Sequence, residues 1–333
     1  MERIKVGVIG LGWFGEHHID TFQQLPLAEV SAICTRRPDH LKKMGEKYNI
    51  EKTYTNYKDM LNNKNIDMVS IVTHVPDHMQ IAIEAIKAGK HVFLEKPMAN
   101  STEECDMILE ALKGTDKFFM VGHVCRFDTA YALAKEEIEA GNIGKIISIY
   151  AKRNLAKWVT ESHLNKISAL FGDGIHDFDL MLWFTKASPR TVYAKTKNTR
   201  PGLKYDDVAW ALFTLEDDTF AVIENVWSLP DNAPFAIDAK MEIIGTEGAI
   251  YIDNSGANYT VLTKKGLSFP QSTYWPSVHG LRRGYLKEEF DYFLKCISKN
   301  ERPTVITPQE SRDVVNAIRM AEKSADENRI VEF

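Results

Sequence analysis

A short glycine-rich segment near the amino terminus limits the fold more than any other feature of this chain. Gly10-Leu11-Gly12-Trp13-Phe14-Gly15 follows directly on the apolar alternation Ile4-Lys5-Val6-Gly7-Val8-Ile9 and opens a helical segment. In that strand–turn–helix setting each glycine has its own task. The first permits the tight turn, the second lets backbone approach a pyrophosphate, and the third lets helix and strand pack closely. A glycine-rich turn that binds nothing is the competing reading, and the context argues against it. Gly10, Gly12, Trp13, Phe14 and Gly15 are therefore candidate contacts for a dinucleotide.

The rest of the first third keeps the same rhythm. Strand patterns over residues 4–9, 29–35, 68–73, 91–94 and 118–122 alternate with helical patterns over 17–24, 38–48, 82–88 and 102–112. This is the signature of parallel βαβ units, whose ligands bind at the carboxyl ends of the strands. After a helix over residues 131–140, stopped by Gly141-Asn142, strands follow one another over 146–153, 191–198, 208–215, 220–227, 236–244 and 249–252. Helices return over 286–299 and 310–328. Stretches such as Ala221-Val222-Ile223-Glu224-Asn225-Val226-Trp227 alternate in character, as in a sheet with one face for helices and the other for a partner. The expected fold is α/β joined to α+β. Residues 1–123 form a Rossmann-type, doubly wound parallel sheet, and residues 124–333 a mostly antiparallel open sheet flanked by helices that binds substrate and builds the oligomer.

Composition narrows the partners. A formal net charge of −5 with no block of like charges argues against nucleic acid or a membrane surface as the main partner. The cysteines Cys34, Cys105, Cys125 and Cys296 are scattered, without metal-ligand spacing, so no metal is expected and they read as buried thiols of a reducing compartment. No basic leader precedes the first strand and no apolar run reaches membrane length, which makes the cytoplasm the expected location.

The second strand should end on the residue that reads the adenosine ribose, about 20 residues past the glycines. Thr35-Arg36-Arg37 stands there, with no carboxylate for the ribose hydroxyls. A hydroxyl and two guanidinium groups suit a 2′-phosphate. NADP(H) is accordingly favoured, with NAD(H) as the alternative should the arginines only lead into the next helix.

Further along, Glu95-Lys96-Pro97 follows the strand over 91–94, and Thr73-His74-Val75-Pro76-Asp77-His78 follows the strand before it. Gly122-His123-Val124-Cys125-Arg126-Phe127, Gly174-Ile175-His176-Asp177-Phe178-Asp179 and Gly245-Thr246-Glu247-Gly248 stand at later junctions. Together these resemble the Gfo/Idh/MocA family, named for glucose–fructose oxidoreductase and inositol dehydrogenases, over nearly the whole chain. The resemblance implies that Thr73, His74, Pro76, His78, Glu95 and Lys96 line the cofactor, and that Lys96 and His176 face the substrate beside the nicotinamide, Lys96 from the first domain and His176 from the second. The chemistry agrees. Oxidising a secondary alcohol needs a base for the hydroxyl proton, which histidine supplies near neutral pH. A lysine on the same oxygen stabilises developing alkoxide charge.

One position departs from the pattern. Members with the full set carry an aspartate four residues before the histidine, where this chain has Gly172; Asp173 lies three before. Asp173 either orients His176 or caps the helix starting near Gly174, and capping is the slightly favoured reading; Asp179 reads as structural. His123, Arg126, Arg153, Trp158, His163 and Tyr285 are candidate substrate contacts, each weighed against a packing or solvated role, and residues 158–171 read as a loop or broken helix. The expected activity is hydride transfer between a nicotinamide cofactor and a secondary alcohol or ketone of a sugar, cyclitol or derivative. A non-catalytic nucleotide- or sugar-sensing regulator on the same fold is the alternative, disfavoured by the joint presence of Lys96 and His176. The strands of the second half offer more sheet than its helices cover, so a homodimer or homotetramer through that sheet is expected.

Overall fold

The computed structural model describes residues 3–160, 166–255 and 259–333. The chain forms two compact units, Met1–Phe127 with Thr273–Val315, and Asp128–Ser272 with Asn316–Phe333. A single cut at residue 123 therefore misplaces residues 273–315, which return to the first unit. No signal in their own sequence announces this, because the reason lies in which sheet face their apolar stripe covers.

The first unit holds β1 (Ile4–Ile9), α1 (Trp13–Phe22), β2 (Ala28–Cys34), α2 (Pro38–Tyr48), β3 (Lys52–Tyr54), α3 (Tyr57–Leu61), β4 (Met68–Ile71), α4 (His78–Lys87), β5 (His91–Glu95), α5 (Thr102–Leu112) and β6 (Phe119–Gly122). The strands lie in the order β3-β2-β1-β4-β5-β6, all parallel. Every residue of β4 is buried, as expected for a strand covered on both faces. The chain order reverses direction beside β1, and the carboxyl ends of β1 and β4 form the crevice where such sheets bind ligands.

The second unit begins with α6 (Thr129–Glu139), β7 (Ile146–Leu155) and the single turn α7 (Lys157–Thr160). A π-helical turn, Leu170–Gly174, runs into α8 (Ile175–Thr185). Then come β8 (Pro189–Lys197), β9 (Val208–Leu215), β10 (Phe220–Val226), β11 (Ile237–Gly245), β12 (Ala249–Asp253) and the small hairpin β13 (Val261–Thr263)–β14 (Gly266–Ser268). The chain then passes back to the first unit, adding the hairpin β15 (Ser277–Val278)–β16 (Leu281–Arg282), α9 (Tyr285–Lys299) and the start of α10 (Pro308–Glu327). Phe290 of α9 stacks on Phe22 with ring centroids 4.2 Å apart and meets Phe93 edge-on at 4.9 Å. These contacts cover one face of the parallel sheet.

In the second unit β17 (Val331–Glu332) pairs with β8 and completes a seven-stranded sheet in the order β12-β11-β7-β10-β9-β8-β17. Its pairs are antiparallel except β7 with β10. Alternation decides the faces. Ala209, Ala211, Phe213 and Leu215 of β9 are buried, and Phe213 packs on Phe178 of α8 with centroids 4.1 Å apart. The intervening residues Trp210 and Leu212 point away and are exposed, as are Tyr193, Phe220 and Tyr251 on other strands of the sheet.

Candidate functional site

In the first unit the glycine turn has the geometry its sequence promised. Gly10 sits at φ +100°, and a Cβ there would lie 2.4 Å from the Val72 carbonyl oxygen. A Cβ on Gly15 would lie 2.0 Å from the Gly10 carbonyl oxygen, so the third glycine is dictated by backbone packing. Around Gly12 the situation is the opposite: a Cβ would meet nothing within 4 Å. The protein leaves that space open, and no side chain caps the amino end of α1 there. Its first-turn N–H groups are left for a ligand, the arrangement that favours a pyrophosphate. Two side chains hold the turn from outside. Arg37 Nη2 and His40 Nε2 each lie 2.7 Å from the Leu11 carbonyl oxygen, and because a carbonyl only accepts, His40 carries its proton on Nε2.

Trp13 and Phe14 are not buried by the turn. Trp13 is two-thirds exposed, and both rings join His17 and Trp275 in an aromatic wall, with Trp13–His17 centroids 4.6 Å apart and Phe14–Trp275 centroids 5.1 Å apart. Burial, followed by the charge of Arg282, lowers the His17 pKa to about 4, so the ring is neutral at physiological pH.

The other strand ends carry buried polar groups. Thr73, past the end of β4, keeps its hydroxyl buried with no hydrogen-bond partner among the described residues, as an atom awaiting a ligand would. The open cradle at Gly12, the free helix end and this hydroxyl fit a dinucleotide. His74 and Pro76 are exposed on the same segment. His78 has a different part: it is buried, with Nδ1 2.8 Å from the Pro97 carbonyl oxygen and Nε2 3.2 Å from that of Thr73. It clasps two loops to each other, and burial pushes its pKa down. A neutral ring donates to only one of these carbonyls.

Glu95 ends β5 inside a buried network. His18 of α1 lies 3.0 Å from Glu95 Oε1 through Nε2 and 2.8 Å from Ser70 Oγ through Nδ1. The other Glu95 oxygen accepts from the Lys96 backbone N–H at 3.3 Å. Gly122, on the adjacent strand, gives the carboxylate room, since a Cβ there would lie 3.0 Å from Oε1. Lys96 itself is half-buried on the loop so fixed. His18, Ser70 and His40 were not singled out in the sequence. The inward position of His18 one turn after Gly15 was the available signal.

Several candidate substrate contacts turn out to be packed. His123 and Tyr285 are buried, and Tyr285 lies against Tyr274 with centroids 5.0 Å apart. The Arg126 guanidinium is fully buried, donating to the Val305 carbonyl oxygen at 2.6 Å and to Glu310 Oε1 at 3.0 Å, which makes it a brace of the first unit. In the second unit Arg153 forms a buried two-point pair with Asp177, at 2.8 Å and 3.3 Å. Trp158 is exposed, and His163 lies outside the described residues.

The segment carrying His176 departs from the capping expectation. The π turn runs unbroken into α8, so no helix start exists at Gly174 for Asp173 to cap. Instead Asp173 Oδ2 accepts from the indole Nε1 of Trp227 at 2.8 Å, and Oδ1 lies 4.0 Å from His176 Nε2. Gly172 lies under the same indole, where a Cβ would be 2.4 Å from the ring. A glycine inside a helical pattern is the sequence mark of such close approach. Asn225, buried beside Gly174, has a side-chain oxygen with no hydrogen-bond partner among the described residues.

Comparison with known proteins places these features in a lineage. The model of the GFO_IDH_MocA oxidoreductase family, NAD-binding Rossmann fold, matches residues 4–123, and the GFO/IDH/MocA C-terminal domain matches residues 131–251. Myo-inositol 2-dehydrogenase of Thermotoga maritima is 28% identical over 99% of this chain and 98% of its own length. The scyllo-inositol 2-dehydrogenase (NAD(+)) of Bacillus subtilis is 29% identical over 91% and 89%. The solved scyllo-inositol dehydrogenase of Lactobacillus casei, with bound NAD(H) and scyllo-inositol, superposes with a TM-score of 0.87 at 25% identity, covering 99% of both chains. These findings overturn the expectation of NADP(H), since the relatives whose cofactor is named use NAD(H). The geometry supplies a reason. Arg36 is paired with Asp77 at 3.1 Å, and Arg37 holds the Leu11 carbonyl, so the guanidinium groups expected to grip a 2′-phosphate are already engaged. Among the described residues no helix is long and apolar enough to cross a membrane.

Proposed function

This chain belongs to the Gfo/Idh/MocA family of oxidoreductases, and from that membership we propose that it oxidises a secondary hydroxyl of a cyclitol, or reduces the corresponding ketone, with NAD(H). The observation that carries the reading is the open, uncapped glycine cradle of the first unit; the second unit independently holds Asp173, in the π turn, 4.0 Å from His176 of α8. NAD+ supplies the hydride acceptor when bound. Backbone N–H groups at the start of α1 would hold the pyrophosphate, and the Thr73 hydroxyl would hydrogen-bond the dinucleotide. His176 takes the hydroxyl proton as the carbon gives up its hydride, and Asp173 stabilises the imidazolium so formed. Lys96 donates a hydrogen bond to the same oxygen and stabilises its alkoxide character. In the reverse direction Lys96 polarises the ketone and His176 returns the proton.

The exposed apolar face of the second unit's sheet supports a homo-oligomer built through it, and the buried free thiols support a reducing, cytoplasmic setting. The test is NADH production over a panel of inositols and sugars. Removing a positioned acid–base group costs roughly 10²–10⁴ in rate, so Lys96→Ala and His176→Ala should lose that much kcat while binding NADH normally. Turnover in His176→Ala equal to that of the parent enzyme would remove histidine from the chemistry.

A further inference from the structure

Trp227 immediately follows β10, is 3% exposed, and is fastened on several sides. Its backbone N–H donates to the Asp207 carbonyl at 2.7 Å. Its own carbonyl accepts from Arg200 Nη2 at 2.9 Å and Thr160 Oγ1 at 3.1 Å. Arg200 is in turn paired with buried Asp207 at 3.2 Å. These bonds fix the backbone of Trp227, and the indole itself is buried in an apolar cluster with Leu155 and Ala169, which limits the directions its N–H can take.

That N–H points at Asp173. The wide π turn, Leu170–Gly174, lays Gly172 under the six-membered ring and brings the next carboxylate to the indole nitrogen. A side chain at residue 172 would collide with the ring, so the glycine and the tryptophan are two halves of one arrangement. With Oδ2 occupied by the indole, Oδ1 is the oxygen turned toward His176 Nε2 at 4.0 Å. That separation is too long for a hydrogen bond, yet within range for a carboxylate to favour a positive charge on the imidazole.

We propose that Trp227 is a positioning residue for the reaction: its indole N–H fixes the Asp173 carboxylate so that the negative charge stays beside His176 when the imidazole takes the substrate proton. The inference rests on the assignment of His176 as the base. It makes the π turn a device for letting an aspartate three residues before a histidine serve it, with the indole setting the carboxylate's direction.

The experiment compares steady-state kinetics of the full-length enzyme with Trp227→Phe, which removes the N–H and keeps an aromatic ring. Asp173→Ala, the double variant and His176→Ala are run beside it. Loss of a hydrogen bond to a charged group corresponds to about a tenfold fall in kcat, expected with the Kd for NADH unchanged. In the double variant the loss should equal that of Asp173→Ala alone, because the tryptophan acts only through the carboxylate. Full kcat in Trp227→Phe, or losses that multiply in the double variant, overturns the proposal. Undiminished turnover in His176→Ala overturns the base assignment, and the proposal with it, which separates the two failures. Should Trp227→Phe fail to fold, Gly172→Ala displaces the indole from below and should show the same fall in kcat with NADH binding intact; an unchanged kcat there refutes it.

Discussion

The glycine turn permits a prediction in which residues of one motif give opposite signatures. Gly12→Ala places a methyl where the protein has nothing within 4 Å, at φ −80°, a backbone conformation open to any residue. The apo fold should therefore keep its Tm within about a degree, since surface changes of this kind usually stay within about 0.5 kcal/mol. The methyl nevertheless stands where the pyrophosphate must approach the backbone. Losing one hydrogen bond to a charged group costs about 1.5–3 kcal/mol, roughly a 10- to 100-fold rise in the Kd for NADH. Gly15→Ala differs, because its methyl would lie 2.0 Å from the Gly10 carbonyl oxygen and the helix must move off the strand. Overpacking of this kind costs about 1–3 kcal/mol, so Gly15→Ala should lose several degrees of Tm as well as affinity. Calorimetric titration with NADH and thermal melts of the apo proteins read both quantities. If Gly12→Ala binds NADH as tightly as the parent protein, the open space at Gly12 is not the pyrophosphate site and the reasoning fails.

Asp177→Ala removes the two-point carboxylate partner of the buried Arg153 guanidinium and should destabilise the protein by about 3–5 kcal/mol in chemical denaturation, whereas an unshifted midpoint would contradict a buried pair. Burial, with the charge of Lys117 second, lowers the pKa of His91 to about 4, and its Nδ1 accepts from the Phe118 N–H. The unfolded chain takes up this proton near pH 6.5 and the folded chain only near 4, so stability is intact above pH 6.5 and falls as pH drops toward 4. His91→Asn should flatten that part of the Tm–pH curve, and identical curves would argue against it. Trp210→Glu combined with Phe220→Glu, at positions 46% and 53% exposed, should convert an oligomer to a monomer by light scattering; a parent protein already monomeric at micromolar concentration would refute the sheet as its interface.

What could be read from the sequence was mainly local. The turn at Gly10–Gly15 was legible because its strand, glycines and helix are contiguous, and backbone sterics leave few alternatives. The strands of the second sheet were legible because alternation at β9 separates Phe213 from Trp210 whatever their neighbours are. The surroundings of Asp173 were not, because its partner Trp227 follows a strand 54 residues further along the chain. Arg126 and Arg153 read equally well as substrate contacts and as packed or solvated side chains. Only the fold shows Glu310 and Asp177 waiting for them. Likewise Arg36 and Arg37 looked like phosphate ligands until Asp77 and the Leu11 carbonyl came beside them.

The return of residues 273–315 to the first unit bears on how the chain is made. A ribosome delivers β1 through β6 long before α9, so the face of the parallel sheet that Phe290 and Phe293 will cover waits, with Phe22 and Phe93 bare, through the synthesis of β7 to β12 of the second sheet. Exposed apolar surface of this kind is where nascent chains aggregate or recruit chaperones. The nucleotide-binding half is thus complete only when nearly everything else is, and a fragment ending at residue 127 should behave as a sticky intermediate and not as a domain.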